Sequence, residues 1–130
     1  MAKILVVDDD KAATALFMQA LMMNKYEVVT LNDSSKVVEF ATEQQPDLAI
    51  LDLMMPDPDG FKVCRALRAD QNLRRLPIII VTALTDIDSK LVAIGAGAND
   101  YLVKPFHLHT LFDSVDKLLR KIPTGRLSLR

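Results

Sequence analysis

Acidic side chains end two apolar segments of the chain, and these carboxylates are the groups most suited to chemistry. One apolar segment runs directly into Asp8, Asp9 and Asp10, and a second ends near Asp52. Carboxylates that lie close together repel one another unless a cation sits beside them. Oxygen ligands with positions left for water suit Mg2+ or Mn2+ better than zinc. If the fold brings these acids together, they predict a site for a divalent cation.

Thr82 and Lys104 extend this set toward phosphoryl chemistry. Each lies at the end of another apolar segment, Thr82 in IIIVT and Lys104 after DYLV. A carboxylate can attack phosphorus to form an acyl phosphate while a cation offsets the charge of the transferred group. An ammonium group and a short hydroxyl group can both bind phosphoryl oxygens. The set predicts metal-dependent transfer of a phosphoryl group to one of the carboxylates.

Five short apolar segments are predicted to be the strands that position these side chains. They are rich in Ile, Val and Leu, and most lack the polar alternation of a half-exposed sheet. Segments with helical periodicity lie between them and after the last one. The pattern predicts an α/β fold, a doubly wound (βα)5 sheet with helices on both faces, in which ligands bind outside the carboxyl ends of the strands. The predicted strands are residues 3–7, 26–31, 47–53, 76–82 and 100–103.

The helical periodicity also predicts which side chains are buried. Met22 and Met23 are expected to be core or covering residues. Asp10 is expected to cap the first helix rather than to bind metal. Pro123 and Gly125 are expected to end the last helix. The first helix is expected to bury one stripe, formed by Ala13, Leu16, Phe17, Ala20 and Leu21.

Composition restricts the function classes only weakly. The chain has 130 residues, half of them hydrophobic, which is enough for one core. Its 16 basic and 17 acidic residues leave a net charge of -1, so no overall charge favours nucleic acid or an anionic membrane. The single cysteine, Cys64, fits a reducing compartment, and neither a leader nor a membrane-spanning segment is recognisable. We expect a cytoplasmic protein with one domain over residues 1–121 and a linker stub or disordered tail over residues 122–130.

The ordered set of segments VVDDD, ILDLMMPDPDG, VTA and DYLVKPF resembles the receiver domain of two-component response regulators. The resemblance covers the chain from about Lys3 to about Lys121. It implies a flavodoxin-like fold with the strand order 2-1-3-4-5. It also implies that Asp52 accepts a phosphoryl group from a histidine kinase or a histidine phosphotransfer protein. A receiver catalyses only its own phosphorylation and dephosphorylation, so no enzyme with a separate substrate is expected.

The same resemblance implies a metal site at the acidic residues. Asp9 would be a direct Mg2+ ligand and Asp8 a ligand through water, while Asp52 and the backbone carbonyl of Met54 would complete the protein ligands. Mn2+ is the alternative ion. Met54 and Leu84 should border the phosphoryl group, and both are apolar where some family members carry polar residues that orient water. Slow self-dephosphorylation is therefore expected.

Switching residues are implied as well. Thr82 resembles the hydroxyl that moves toward the phosphoryl group, Tyr101 the aromatic that changes rotamer with it, and Lys104 the lysine that contacts phosphate. In the family the Lys-Pro bond is cis, and Pro105 allows that isomer. Phosphorylation would then change the surface formed by the fourth helix, the fifth strand and the fifth helix, which would face a downstream protein or output domain.

Other functions remain as alternatives. A Mg2+-dependent phosphatase of the haloacid dehalogenase superfamily also uses a strand-ending aspartate, but its first motif differs where this chain has Lys11-Ala12. A phosphorylation-silent receiver-like interaction module is a third alternative. A dinucleotide binder is disfavoured because no glycine-rich loop follows the first strand. Direct binding to nucleic acid or to a membrane is not expected, whereas a phosphorylation-dependent dimer stays open.

Overall fold

The computed structural model describes residues 1–120, and within them five parallel strands alternate with helices. The strand order is β2-β1-β3-β4-β5, which confirms the predicted flavodoxin-like (βα)5 sheet. The predicted tail over residues 122–130 lies outside the described residues. No helix within residues 1–120 has the length and the apolar character that a bilayer crossing requires. The strands are β1 Lys3–Val7, β2 Glu27–Leu31, β3 Leu48–Asp52, β4 Ile78–Thr82 and β5 Asp100–Val103.

The helices cover both faces of the sheet. Alternate side chains of β1, β3 and β4 point to opposite faces and belong to two separate apolar clusters. One cluster packs β-strand residues against Leu21 of the first helix and Leu111 and Val115 of the last one. The other cluster packs the opposite face against the remaining helices. The helices are α1 Lys11–Met23, α2 Val37–Gln44, α3 Gly60–Ala69, α4 Ile87–Gly95 and α5 Leu108–Arg120, with a 3-10 turn at Ser34–Lys36.

The α1 helix differs from the predicted stripe. Leu16 is 68% exposed, although Ala20 and Leu21 are buried as predicted. In a helix with 3.6 residues per turn, Leu16 lies about 100° from Phe17 and therefore outside the face that packs on the sheet. Met22 and Met23 are also exposed, so of their two predicted roles, core or covering residue, the core role is wrong. The predicted cap is confirmed, since the Asp10 carboxylate accepts a hydrogen bond of 2.9 Å from the backbone N–H of Ala12.

Arg68 of α3 binds several backbone carbonyls at the edge of the sheet where the strands begin. Its guanidinium donates to the carbonyl of Gly97 at 2.7 and 2.9 Å and to the carbonyl of Leu76 at 2.6 Å. It also donates to Oδ1 of Asn99 at 2.8 Å, and that oxygen accepts the backbone N–H of Ile78. Arg68 thus links α3 to the residues that follow α4 and to the start of β4.

Candidate functional site

Three carboxylates converge at the carboxyl ends of β1 and β3. Asp8, Asp9 and Asp52 each offer an oxygen atom, and these atoms lie within 4.8 Å of one another. The strand register explains this, because Val7 pairs with Leu51. Asp8, the residue after β1, and Asp52, the last residue of β3, therefore lie at the same level. Three carboxylates at this separation are a suitable ligand set for a hard divalent cation.

Lys104 brings one positive charge to the same place. Its Nζ lies 3.8 Å from Oδ2 of Asp8 and 3.8 Å from Oδ2 of Asp52. Lys104 follows β5, and its backbone N–H is held by the carbonyl of Thr82 at 2.8 Å. The Lys104–Pro105 peptide is cis, as the sequence resemblance implies. One ammonium group faces more than one carboxylate, so the acidic cluster keeps an excess of negative charge.

The electrostatics of Asp8 support a role for a cation. Asp8 is 2% exposed, and this burial raises its pKa from 3.8 to about 6. The hydrogen bond of 2.9 Å that its Oδ1 accepts from the backbone N–H of Asp10 opposes the rise, and the charge of Asp52 adds to it. Its Oδ2 is buried and accepts no hydrogen bond within residues 1–120. A bound cation would satisfy this oxygen and favour the ionised carboxylate, so the residues present fit a metal site.

Thr82 and Tyr101 both bind the loop that follows β4. The Thr82 side chain is fully buried, and its Oγ1 accepts a hydrogen bond of 3.2 Å from the backbone N–H of Leu84. The Tyr101 hydroxyl donates to the carbonyl of the same residue at 3.0 Å, and the ring is buried with 9% exposure. The two residues predicted to switch together are therefore connected through Leu84.

The loop after β3 holds Asp52 close to the start of α3. Oδ1 of Asp52 accepts the backbone N–H of Met54 at 3.1 Å, and the Met54 side chain is 59% exposed. The backbone N–H of Gly60 donates to the carbonyl of Leu53 at 2.9 Å. A Cβ atom on Gly60 would lie 2.6 Å from the carbonyl oxygen of Asp52, so only glycine permits this approach. This contact between Gly60 and β3 is visible only in the structure.

Two polar residues near the acids are absent from the sequence-based site. The Asn32 side chain, just after β2, donates to the backbone carbonyl of Asp8 at 2.8 Å and to Oγ1 of Thr14 at 3.1 Å. Thr14 is 3% exposed. The sequence signal that could have identified Asn32 is its position directly after the strand next to β1, because that edge of the sheet also carries the acids. By contrast, His107 and His109 are exposed, and their rings stack on each other at 5.4 Å.

Comparisons with known proteins agree with this geometry. The family model of the response regulator receiver domain matches residues 4–116. The chain is 41% identical over 121 residues to the DNA-binding dual master transcriptional regulator RpaA of Synechocystis sp.. The matched region covers 93% of this chain and 50% of that protein. The chain spans about half the length of the curated relatives it matches.

Solved structures extend the same result. The chemotaxis protein CheY4 of Vibrio cholerae superposes with a TM-score of 0.85 at 31% identity, over 91% of this chain and 98% of that one. The BeF3-activated N-terminal receiver domain of RstA from Klebsiella pneumoniae superposes with a TM-score of 0.84 at 30% identity, over 92% of this chain and 99% of that one. The fold thus has counterparts over 91% and 92% of this chain.

Proposed function

Because this chain belongs to the response regulator receiver domain family, we propose that Asp52 is the residue that accepts the phosphoryl group. A receiver domain is a phosphoacceptor module of signalling, not an enzyme that turns over a separate substrate. The observation that carries the assignment is the convergence of the Asp8, Asp9 and Asp52 carboxylates beside the Lys104 ammonium. The family match over residues 4–116 removes the support for a haloacid dehalogenase phosphatase.

A divalent cation is part of this proposal. An acidic triad such as Asp8, Asp9 and Asp52 is typical of the Mg2+ site of receivers. We assign Mg2+ to this triad and to the backbone carbonyl of Met54, with Mn2+ as a substitute. When bound, the ion offsets the negative charge of the transferred group. Oδ2 of Asp8, which accepts no hydrogen bond from residues 1–120, and the raised pKa of Asp8 support the assignment.

Phosphorylation then follows as one displacement. A carboxylate oxygen of Asp52 attacks the phosphorus of a phosphohistidine, the P–N bond breaks, and the imidazole nitrogen keeps the electron pair. Lys104 is near enough to Asp52 to bind an oxygen of the phosphoryl group. Thr82 lies at the end of the neighbouring strand, where its hydroxyl can donate to another oxygen. The products are an acyl phosphate on Asp52 and a neutral imidazole on the donor, whose ring takes up one proton from water as the P–N bond breaks.

Switching is proposed to pass through Leu84. Movement of Thr82 toward the phosphoryl group would pull on the N–H that it holds, and the Tyr101 hydroxyl would follow the same loop. Leu84 lies three residues before Ile87, the first residue of α4. The exposed apolar side chains of α4, Ile87, Leu91 and Ile94, would then be presented differently. The surface of α4, β5 and α5 is the proposed contact for a downstream protein or output domain.

The partners follow from the family and are proposals for this chain. The donor is a histidine kinase or a histidine phosphotransfer protein. The receiver unit would extend over residues 1–121. The relative RpaA is a DNA-binding transcriptional regulator, and this chain spans about half of its length. We therefore propose that any contact with DNA belongs to a separate output unit.

Mass spectrometry of the intact protein tests the function. With acetyl phosphate and Mg2+ we expect one phosphoryl group per chain, and none when EDTA replaces Mg2+. Asp52→Asn should abolish the modification. Asp57→Asn is the matched control. Asp57 is an exposed acid of the same loop, but it forms an ion pair with Lys62 and does not belong to the triad. Modification of Asp52→Asn, or continuous turnover of a small phosphoester by the wild type, would overturn the proposal.

A further inference from the structure

We propose that Asn32 is a positioning residue that sets the affinity of the acidic triad for its cation. Its Nδ2 donates one hydrogen bond to the carbonyl of Asp8 and one to the hydroxyl of Thr14, at 2.8 and 3.1 Å. One amide group thereby ties the end of β1 to the first turn of α1. The inference rests on the proposed function, since it concerns the ion that phosphoryl transfer requires.

The hydrogen bonds around Asn32 form a closed set. The backbone N–H of Asp8 donates to the carbonyl of Leu31 at 3.1 Å, so β2 holds Asp8 from the strand side as well. The Thr14 hydroxyl donates to the carbonyl of Lys11 at 3.1 Å while it accepts from Asn32. Thr14 is almost fully buried, and its hydroxyl is satisfied in both roles. Asn32 is therefore linked to the rigid sheet on one side and to α1 on the other.

In this position Asn32 helps to orient the backbone from which the side chains of Asp8 and Asp9 extend. The carbonyl of Asp8 belongs to the planar peptide group that joins Asp8 to Asp9, so fixing that oxygen fixes the plane from which Asp9 departs. Oδ1 of Asp8 is fixed separately by the backbone N–H of Asp10. Without a cation the acids repel one another, and a tie from outside the triad keeps them at the spacing a cation needs.

The side-chain hydrogen bonds that Asn32 makes within residues 1–120 go to a backbone carbonyl and a hydroxyl, so its role differs from that of a metal ligand. Groups that orient metal ligands commonly change metal affinity by about 10–100-fold when they are removed. Loss of the Asn32 amide should consequently weaken the binding of the ion without removing any of its ligands.

Binding of Mn2+ alone, followed by the EPR signal of the free ion and by competition with Mg2+, measures this effect. We expect Asn32→Ala to raise the Kd about tenfold and Thr14→Val, which removes one arm, to raise it less. Urea unfolding in EDTA should accompany each titration. Asn99→Ala is the matched control, because Asn99 also bonds a backbone group, the N–H of Ile78 at 2.8 Å, but at the opposite edge of the sheet.

The outcomes separate positioning from general stability. A raised Kd for Asn32→Ala with an unchanged Kd for Asn99→Ala supports the inference. An unchanged Kd in folded Asn32→Ala overturns it, as does an equal rise in both variants. If Asn32→Ala does not fold, Thr14→Val decides by the same criterion. Failure of the wild type to bind Mn2+ would overturn the metal site itself, and with it this inference.

Discussion

The hydroxyl of Tyr101 donates a hydrogen bond of 3.0 Å to the backbone carbonyl of Leu84. Tyr101 lies in β5 and Leu84 in the loop before α4, so the bond joins the sheet to the segment that begins the fourth helix. The backbone N–H of Leu84 donates a hydrogen bond to Oγ1 of Thr82. Both polar groups of Leu84 are thus bonded to residues of the proposed switch.

Removal of the Tyr101 hydroxyl should loosen this loop. Tyr101→Phe leaves the carbonyl of Leu84 without its donor, and we expect the free energy of unfolding to fall by about 1 kcal/mol. Urea denaturation measures the change. Tyr26→Phe is the control, since the hydroxyl of Tyr26 makes no hydrogen bond with residues 1–120, and equal losses in the two variants would contradict the assignment.

Asp8 should make the metal-free protein less stable as pH rises. Its pKa in the folded state is about 6, above the 3.8 of an ordinary aspartate, so the folded chain retains the proton between these values. The free energy of unfolding then falls as pH increases through this window. Asp8→Asn mimics the protonated group and should exceed the wild type in stability by on the order of 2 kcal/mol near neutral pH.

Urea denaturation in EDTA at about pH 5 and about pH 7 tests this dependence. The advantage of Asp8→Asn should be larger at the higher pH. Addition of Mg2+ should reduce that advantage, because the ion favours the ionised form of Asp8 in the wild type. A stability difference that stays constant over this pH range would show that the Asp8 pKa is not raised.

Gly60→Ala tests the close approach of α3 to β3. The added Cβ would lie 2.6 Å from the carbonyl oxygen of Asp52 and 2.6 Å from Cα of Leu53, and both are backbone atoms. We expect a loss of roughly 1–3 kcal/mol in urea denaturation and a slower reaction with acetyl phosphate. Gly95→Ala is the matched control, because nothing lies within 4 Å of its added Cβ, and it should gain up to about 1 kcal/mol. Equal stability of the two variants would refute this packing argument.

The apolar side chains at positions 54 and 84 should make the phosphorylated state long-lived. Met54 lies two residues past Asp52 and Leu84 two residues past Thr82, and neither can orient a water molecule for hydrolysis. The double variant Met54→Asn and Leu84→Glu should lose phosphate faster, as followed by phosphate release after the donor is removed. Met22→Asn, at an exposed site in the last turn of α1, is the control. An unchanged release rate in the double variant would disprove the expectation.

The sequence predicts the sheet well because each strand is a short run of apolar, β-forming residues that is recognisable from local composition alone. The runs ILVV and IIIV are apolar throughout, and their polar neighbours therefore mark the strand ends. The position of Asp52 at the end of β3 and that of Thr82 at the end of β4 follow directly. The convergence of the acids also requires β1 and β3 to be neighbours, and that strand order is implied by the resemblance to receiver domains rather than by local composition.

The features missed from the sequence depend on contacts between distant elements. The bond from Asn32 to Thr14 spans 18 residues and forms because β2 pairs with β1. The exposure of Leu16 depends on how α1 is rotated on the sheet, which a periodic pattern defines only to within about one residue. Gly60 likewise reveals its role only beside the backbone of Asp52.

The bonds made by Arg68 give the two ends of α4 unequal freedom. Beyond its C-terminal end, the carbonyl of Gly97 accepts two hydrogen bonds from the Arg68 guanidinium, which also donates to the carbonyl of Leu76. Before its N-terminal end, the loop is held by the hydrogen bonds that Leu84 makes with Thr82 and Tyr101. We therefore expect a movement at Leu84 to displace the N-terminal end of α4 more than its C-terminal end, which Arg68 holds through Gly97.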